Sequence, residues 1–304
     1  MVKVFLSVFF ISICFNSEAQ VSGVILDHST EAPIPFVNIW VSGKMNGTTS
    51  DKSGAFSLPS LSPSDTIVFS SAGYMSKRVA ANEDIAKVLL EKNVIALRPI
   101  RLRDKNVKRK EIEIGKFKTA DVSHYRGTSN RPFQIGRFFP YHDSLKNVPL
   151  LKSVKVFMSS FQAGAIANVR LYEAGEDGLP ANEIYTGPIL IRARKGLKMA
   201  RLEIIDLGIE FPNSGLIVAV ESMIIPENRY ELKIAGSKDR HVSYSPAVGL
   251  LPVNEPHFIV EYMQGKWSSP KYRPFKKTVI ADKTSRDRDE SRFIVPAITI
   301  TLSN

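Results

Sequence analysis

Asn46-Gly47-Thr48-Thr49-Ser50-Asp51-Lys52-Ser53-Gly54-Ala55-Phe56-Ser57-Leu58 decides the fold of the first part of the chain. It reads as a short strand, a tight turn from Asp51 to Gly54, and a second strand beginning at Ala55. Aspartate and glycine at the two ends of a four-residue turn suit type I geometry, and Ser53 adds a local side-chain acceptor. Phe56 and Leu58 alternate with Ser57, the period of a half-buried strand. Such a hairpin specifies architecture and carries no chemistry of its own.

Working outward, residues 21–27 form a strand, and residues 28–35 form a loop whose prolines cannot donate to a ladder. Residues 36–41 set Val37, Ile39 and Val41 on one face against Asn38 and Trp40 on the other. Downstream, strands are predicted at 66–70, 77–80, 87–90 and 94–97, with a turn at Ser71-Ala72-Gly73-Tyr74. Short strands at this spacing point to a β-sandwich.

Five stretches then occur in order: Gly23-Val24-Ile25-Leu26-Asp27, Pro35-Phe36-Val37-Asn38-Ile39, Gly47-Thr48-Thr49-Ser50-Asp51, Gly54-Ala55-Phe56-Ser57-Leu58 and Phe69-Ser70-Ser71-Ala72-Gly73-Tyr74. Together they resemble the carboxypeptidase-like regulatory domain, and they place it at 20–99. The resemblance implies a transthyretin-like β-sandwich without catalytic residues of its own. It also implies an exported setting, as in the N-terminal extensions of TonB-dependent receptors of Gram-negative bacteria. Gly47 and Gly54 are expected in tight turns with positive φ, and Phe56, Val68 and Ile39 between the sheets. Gly73 is expected to allow a sharp bend, and the Tyr74 hydroxyl to meet a backbone partner. Asp51 reads as a turn cap, because a calcium cage needs six to eight oxygen ligands and this turn offers one acid.

The chain has 304 residues, 43% of them apolar and 23% charged, enough for two globular domains. At the N-terminus, Lys3 precedes an apolar run of about a dozen residues and then Ser17-Glu18-Ala19, the pattern of a signal peptide over 1–19. Cleavage is expected between Ala19 and Gln20, so the protein is expected in the periplasm, on the outer-membrane surface or secreted. Cys14, the single cysteine, leaves with that segment. The mature chain then has no thiol chemistry, no cysteine-ligated metal and no disulfide to supplement its cores. No later apolar run has the length of a membrane helix, so no transmembrane span is expected in the mature chain.

The formal charge is +11. Such an excess favours acidic partners, and the export signal argues against nucleic acid. Arg101, Arg103, Lys105, Lys108, Arg109, Lys110, Lys116 and Lys118 crowd the junction, read as a basic linker over 100–130 with a strand near 111–114; the alternative is that residues 107–115 are the first strand of the second domain.

From 131 to 304 the strand rhythm returns, at 153–161, 167–173, 188–194, 200–207, 215–221, 229–234, 258–263 and 294–302. Leu216-Ile217-Val218-Ala219-Val220 is a continuous apolar run, expected of a strand covered on both faces. Val169-Arg170-Leu171-Tyr172-Glu173, Asp177-Gly178-Leu179-Pro180, Ile209-Glu210-Phe211-Pro212 and the run from Gly215 to Glu221 resemble jelly-roll domains of exported bacterial proteins. The expected fold is all-β, a transthyretin-like β-sandwich followed by a jelly-roll-like β-sandwich.

Chemistry is sparse. His28, His124, His142, His241 and His257 are scattered, with no His-Glu-x-x-His and no Gly-x-Ser-x-Gly elbow. No catalytic, metal-binding or cofactor-binding residue is therefore assigned, and no cofactor is expected. Glu173, Glu221 and Glu261 sit on predicted strands, where a pair of glycosidase acids could lie. The ligand-binding candidates are Trp267, Tyr272 and Phe275 with Lys271 and Arg273, since aromatic faces stack on sugar rings while polar neighbours orient them. The leading expectation is an exported, non-catalytic binding or scaffolding protein whose partner is a glycan or a cell-envelope protein. Carbohydrate binding by the second sandwich is the alternative, and a hydrolase with dispersed carboxylates comes third.

Overall fold

The computed structural model describes residues 21–59, 61–93, 110–233, 236, 239–253, 259–269 and 293–304. The segment expected to be a signal peptide, the strand expected at 94–97 and the candidates Lys271, Tyr272, Arg273 and Phe275 lie outside the described residues. The described chain is built from strands, and none of its helices is long and apolar enough to cross a membrane.

The first sandwich is formed by β1 (Val21–Asp27), β2 (Asn38–Val41), β3 (Gly47–Thr49), β4 (Ala55–Leu58), β5 (Thr66–Ser70), β6 (Lys77–Ala80) and β7 (Lys87–Leu90). One sheet has the order β4-β1-β7, with β1 antiparallel to β4 and parallel to β7. The other is antiparallel, in the order β3-β2-β5-β6. Ile25, Ile39, Phe56, Leu58, Ile67, Phe69, Val88 and Leu90 fill the space between them, and the Phe56 and Phe69 rings meet edge-on at 5.6 Å. The Asp51 carboxylate accepts from the Ser53 amide and hydroxyl at 2.8 and 2.7 Å and from the Ala55 amide at 3.0 Å, while Gly54 takes φ +76°. Those bonds, led by the Ser53 hydroxyl, hold its pKa below the usual value. Asp51 is a turn cap.

The second sandwich contains β8 (Glu111–Ile114), β9 (His124–Thr128), β10 (Gln134–Phe139), β11 (Leu150–Ser160), β12 (Ile166–Ala174), β13 (Pro180–Glu183), β14 (Leu190–Arg192), β15 (Gly196–Glu203), β16 (Leu216–Glu221), β17 (Arg229–Lys233), β18 (Arg240–Val253), β19 (Ile259–Met263), β20 (Lys266–Ser268), β21 (Phe293–Pro296) and β22 (Ile298–Ser303). One sheet runs β13-β12-β16-β10-β19-β20 with β14 beside β12. The other runs β17-β18-β11-β22-β8, with β15 on β11 and with β9 and β21 on β18. Ile135, Leu151, Val154, Val156, Val169, Leu171, Val218, Val220, Ile298 and Ile300 form the core between them.

Three expectations need correction. Of the stretch read as a linker over 100–130, residues 100–109, with Arg101, Arg103, Lys105, Lys108 and Arg109, lie outside the described residues. The strand expected near 111–114 is β8, which pairs with β22, and a strand not expected from the sequence, β9, pairs with β18. Charged residues serve the sheet here: Glu111 and Glu113 of β8 pair with Lys152 and Lys155 of β11. Val68 does not lie between the first two sheets. It is buried on the outer face of β5, where a Cβ on Gly265 of the second sandwich would stand 2.9 Å from it. Gly47 is absent from the positive-φ residues among those described, and its requirement is space: a Cβ there would lie 2.4 Å from the Ile39 carbonyl and 2.8 Å from Pro132.

Those last two facts describe one arrangement. The outer face of β3-β2-β5-β6 packs on the outer face of the sheet containing β10, β12, β16 and β19. Every residue of β2 is buried as a result. Trp40 Nε1 donates to the Pro132 carbonyl at 2.9 Å, and its ring meets Tyr262 edge-on at 4.9 Å. Asn38 Nδ2 donates to the Ser222 carbonyl at 3.2 Å, and Thr49 Oγ1 accepts from the Ile224 amide at 2.9 Å.

Candidate functional site

Trp267 lies in β20, after the turn in which Gln264 and Gly265 take φ +55° and +79°. Its ring is half-buried, 5.1 Å from Tyr262 and edge-on to Tyr172 at 5.3 Å. Part of its surface is thus engaged in the seam between the sandwiches.

The period of two along β12 sends Val169 and Leu171 into the core and Asn168, Arg170 and Tyr172 to the seam. Arg170 grips Glu183 of β13 through Nε and Nη2, the latter at 2.8 Å, and its Nη1 lies 3.3 Å from Glu221 Oε1 of β16. Glu221 also accepts from Gln134 Nε2 and Asn168 Nδ2, both at 2.9 Å, and the Tyr172 hydroxyl donates to Gln134 Oε1 at 2.9 Å. Arg170, Glu183 and Glu221 are 5%, 8% and 2% exposed, deep burial for three charged groups.

Burial pushes the Glu183 carboxyl up, and Arg170 and the Gly73 amide of the first sandwich only partly counter it. For Arg170, burial disfavours the charge, but Tyr172, Glu221 and Glu183 outweigh it and hold the guanidinium protonated. A network in which both carboxylates are tied to one arginine is a static device for joining the neighbouring strands β13, β12 and β16 on the seam face of their sheet.

Of the strand acids named from sequence, Glu221 belongs to this network. Glu173 accepts from Asn182 Nδ2 at 3.2 Å, and Glu261 stands 4.0 Å from Arg126. His28, His124, His142 and His241 are exposed on separate elements, and His257 lies outside the described residues. Among the described residues no group of three or more His, Cys, Asp or Glu is placed to hold a metal ion.

At one end of the seam is a cleft of ≈ 260 Å³. Pro35 and Phe36 of the first sandwich face Ile166 and Leu190 of the second, and Lys52 reaches across to Glu227 at 2.9 Å. Arg192 completes the rim. Phe36 takes φ +60°, a left-handed conformation that is strained for a bulky side chain. It persists because the ring packs against Ile166, Met223 and Ile225. The floor is apolar, and at its edge Lys52 is paired with Glu227 while Arg192 adds a further cation.

Sequence reading missed Arg170, Glu183 and Phe36 as parts of one seam. The signal available was the set Asn38, Trp40 and Val68, large or amide side chains on a face that would otherwise meet water.

Residues 21–98 match the family described as CarboxypepD_reg-like domain, the span of the first sandwich. No curated protein and no solved structure matches the chain.

Proposed function

We propose that this is an exported, non-catalytic binding or scaffolding protein, in which a CarboxypepD_reg-like domain and a second β-sandwich frame a cleft for a cell-envelope partner. The observation that carries the reading is the seam itself. It aligns Phe36 and Lys52 of one sandwich with Ile166, Leu190 and Arg192 of the other, so the cleft exists only when both domains are present. The engagement of Glu183 and Glu221 with Arg170 supports binding over hydrolysis, because a glycosidase needs one acid free to protonate and one free to attack or activate water. The apparent signal segment supports export.

Expressed in a Gram-negative host, the chain is expected to be recovered from the envelope fraction beginning at Gln20. It is expected to turn over no chromogenic glycoside or ester. Retention in the cytoplasm, or turnover that co-purifies with the chain, sinks the proposal. A glycan array run on the same material decides the carbohydrate alternative: retention of a glycan that Trp267→Ala abolishes would establish it.

A further inference from the structure

Arg126 of β9 and Arg131 of the following loop line a second cleft, a polar one of ≈ 150 Å³, together with Thr128, Ser129, Asn130 and Phe133. Each guanidinium carries five N–H donors. The acceptors these two find are poor. Arg126 Nη2 lies 3.2 Å from the Met263 sulfur and 4.0 Å from Glu261, and its Nε is buried without a hydrogen-bond partner. Arg131 Nη1 donates to the Met45 sulfur at 3.0 Å. Thioether sulfur accepts weakly, and the Arg126 Nε is desolvated without compensation.

Charge is also out of balance. Two guanidinium groups face one carboxylate, Glu261. Burial first, and then repulsion from Arg126, lower the pKa of Arg131, with Glu261 opposing. A cation pair of this kind is held together by its scaffold. Thr128 Oγ1 donates to the Arg131 carbonyl and accepts from the Arg131 amide at 3.3 Å. Ser243 Oγ holds the Thr128 carbonyl at 2.9 Å, and the Gly47 amide of the first sandwich holds the Asn130 carbonyl at 3.2 Å. Arg126 stacks over Phe133, its Cζ 5.2 Å from the ring centre.

We propose that this cleft binds a tetrahedral oxyanion, a phosphate or sulfate group, between Arg126 and Arg131. The guanidinium fork is matched to such oxygens, two forks share one anion readily, and the bound charge removes the repulsion between the arginines. The Ser129 hydroxyl and the Asn130 amide add neutral donors at the rim. Because both strand and loop are fixed by bonds from other elements, binding requires no rearrangement of the backbone.

The test is calorimetric titration of the mature full chain with inorganic phosphate at low ionic strength, with acetate as a planar control anion. Saturable one-to-one phosphate binding is expected, at least tenfold weaker in Arg126→Gln and in Arg131→Gln and unchanged in Lys198→Ala, a substitution at an exposed lysine of β15. Without phosphate, Arg131→Gln is expected to melt no lower than wild type, since it relieves a like-charge contact; a purely structural arginine would give a lower melt. Arg131→Lys, which keeps the charge and loses the fork, covers the case in which a glutamine variant fails to fold, and is also expected to weaken binding. Cosedimentation with vesicles containing phosphatidic acid separates a lipid-borne phosphate from a free one. Absence of saturable phosphate binding, equal weakening by Lys198→Ala, or acetate binding as tightly as phosphate overturns the proposal.

Discussion

Asp27 closes β1 with a carboxylate that serves several partners at once. One oxygen accepts from the Ser29 and Thr30 amides at 2.9 Å each, and the other accepts from the Tyr74 hydroxyl at 3.0 Å and faces Lys92 at 3.4 Å. The expected backbone partner for Tyr74 is thus replaced by a buried acid. The Thr30 amide does most to hold the Asp27 carboxyl far below the usual carboxylate range, against the opposing effect of burial. Burial, and then Asp27, push the Tyr74 phenol up to about 12. The folded-state pKa of Asp27 is depressed, so its stabilising contribution is present above the unfolded value of about 3.9 and is lost as pH falls toward the folded value. Asp27→Asn keeps the shape and removes the charge. It is expected to be less stable than wild type at neutral pH, with the gap closing below about pH 4. Urea titrations across that range check this, and a gap that does not change with pH contradicts it.

At the scale of the element, β2 shows how much the chain reveals and how much it conceals. Its alternation is legible: Ile39 and Val41 are buried, with Ile39 in the core of the first sandwich. The opposite face looks like a solvent face with an odd tryptophan, because nothing local says that a second domain covers it. Trp40 is 1% exposed in the seam. Trp40→Ala is therefore expected to cost about 3–5 kcal/mol, the range for emptying a large aromatic site. Trp40→Phe is expected to cost about 1 kcal/mol, chiefly through the lost bond to Pro132. Chemical denaturation measures both, and near-neutral values would mean that the seam is loose. Strand β18 is not among the strands expected from the sequence, and it carries Pro246 and Pro252. The ladder to β9 shifts register between Tyr244 and Val248, which admits Pro246 at an irregularity, and Pro252 sits in the terminal pairing with β21. Hairpins and core strands follow from local pattern. Seam residues follow from a partner surface distant in the chain, and alternation alone does not point to it.

For the whole molecule, the two sandwiches share a polar interior that neither could keep alone. A Cβ on Gly73 would lie 2.0 Å from the Thr186 carbonyl, three residues past Glu183, so the first sandwich presses close to the Arg170 network. Separating the domains would expose Trp40, Val68 and the three charged groups together, which links the stability of each half to the other. The chain is expected to unfold in one cooperative transition. Its two tryptophans allow a direct check, since Trp40 reports the seam from the first sandwich and Trp267 from the second. Variants carrying Trp267→Phe or Trp40→Phe leave one probe each, and the transition each reports should coincide with the far-UV signal of the same variant. Arg170→Met leaves Glu183 and Glu221 buried without a cation and is expected to cost about 3–5 kcal/mol, the penalty for breaking a buried ion pair from one side. That loss should appear at both probes, because the network belongs to the seam. If Trp267 reports the loss and Trp40 does not, the sandwiches unfold independently, and the binding cleft they frame loses its rigid walls.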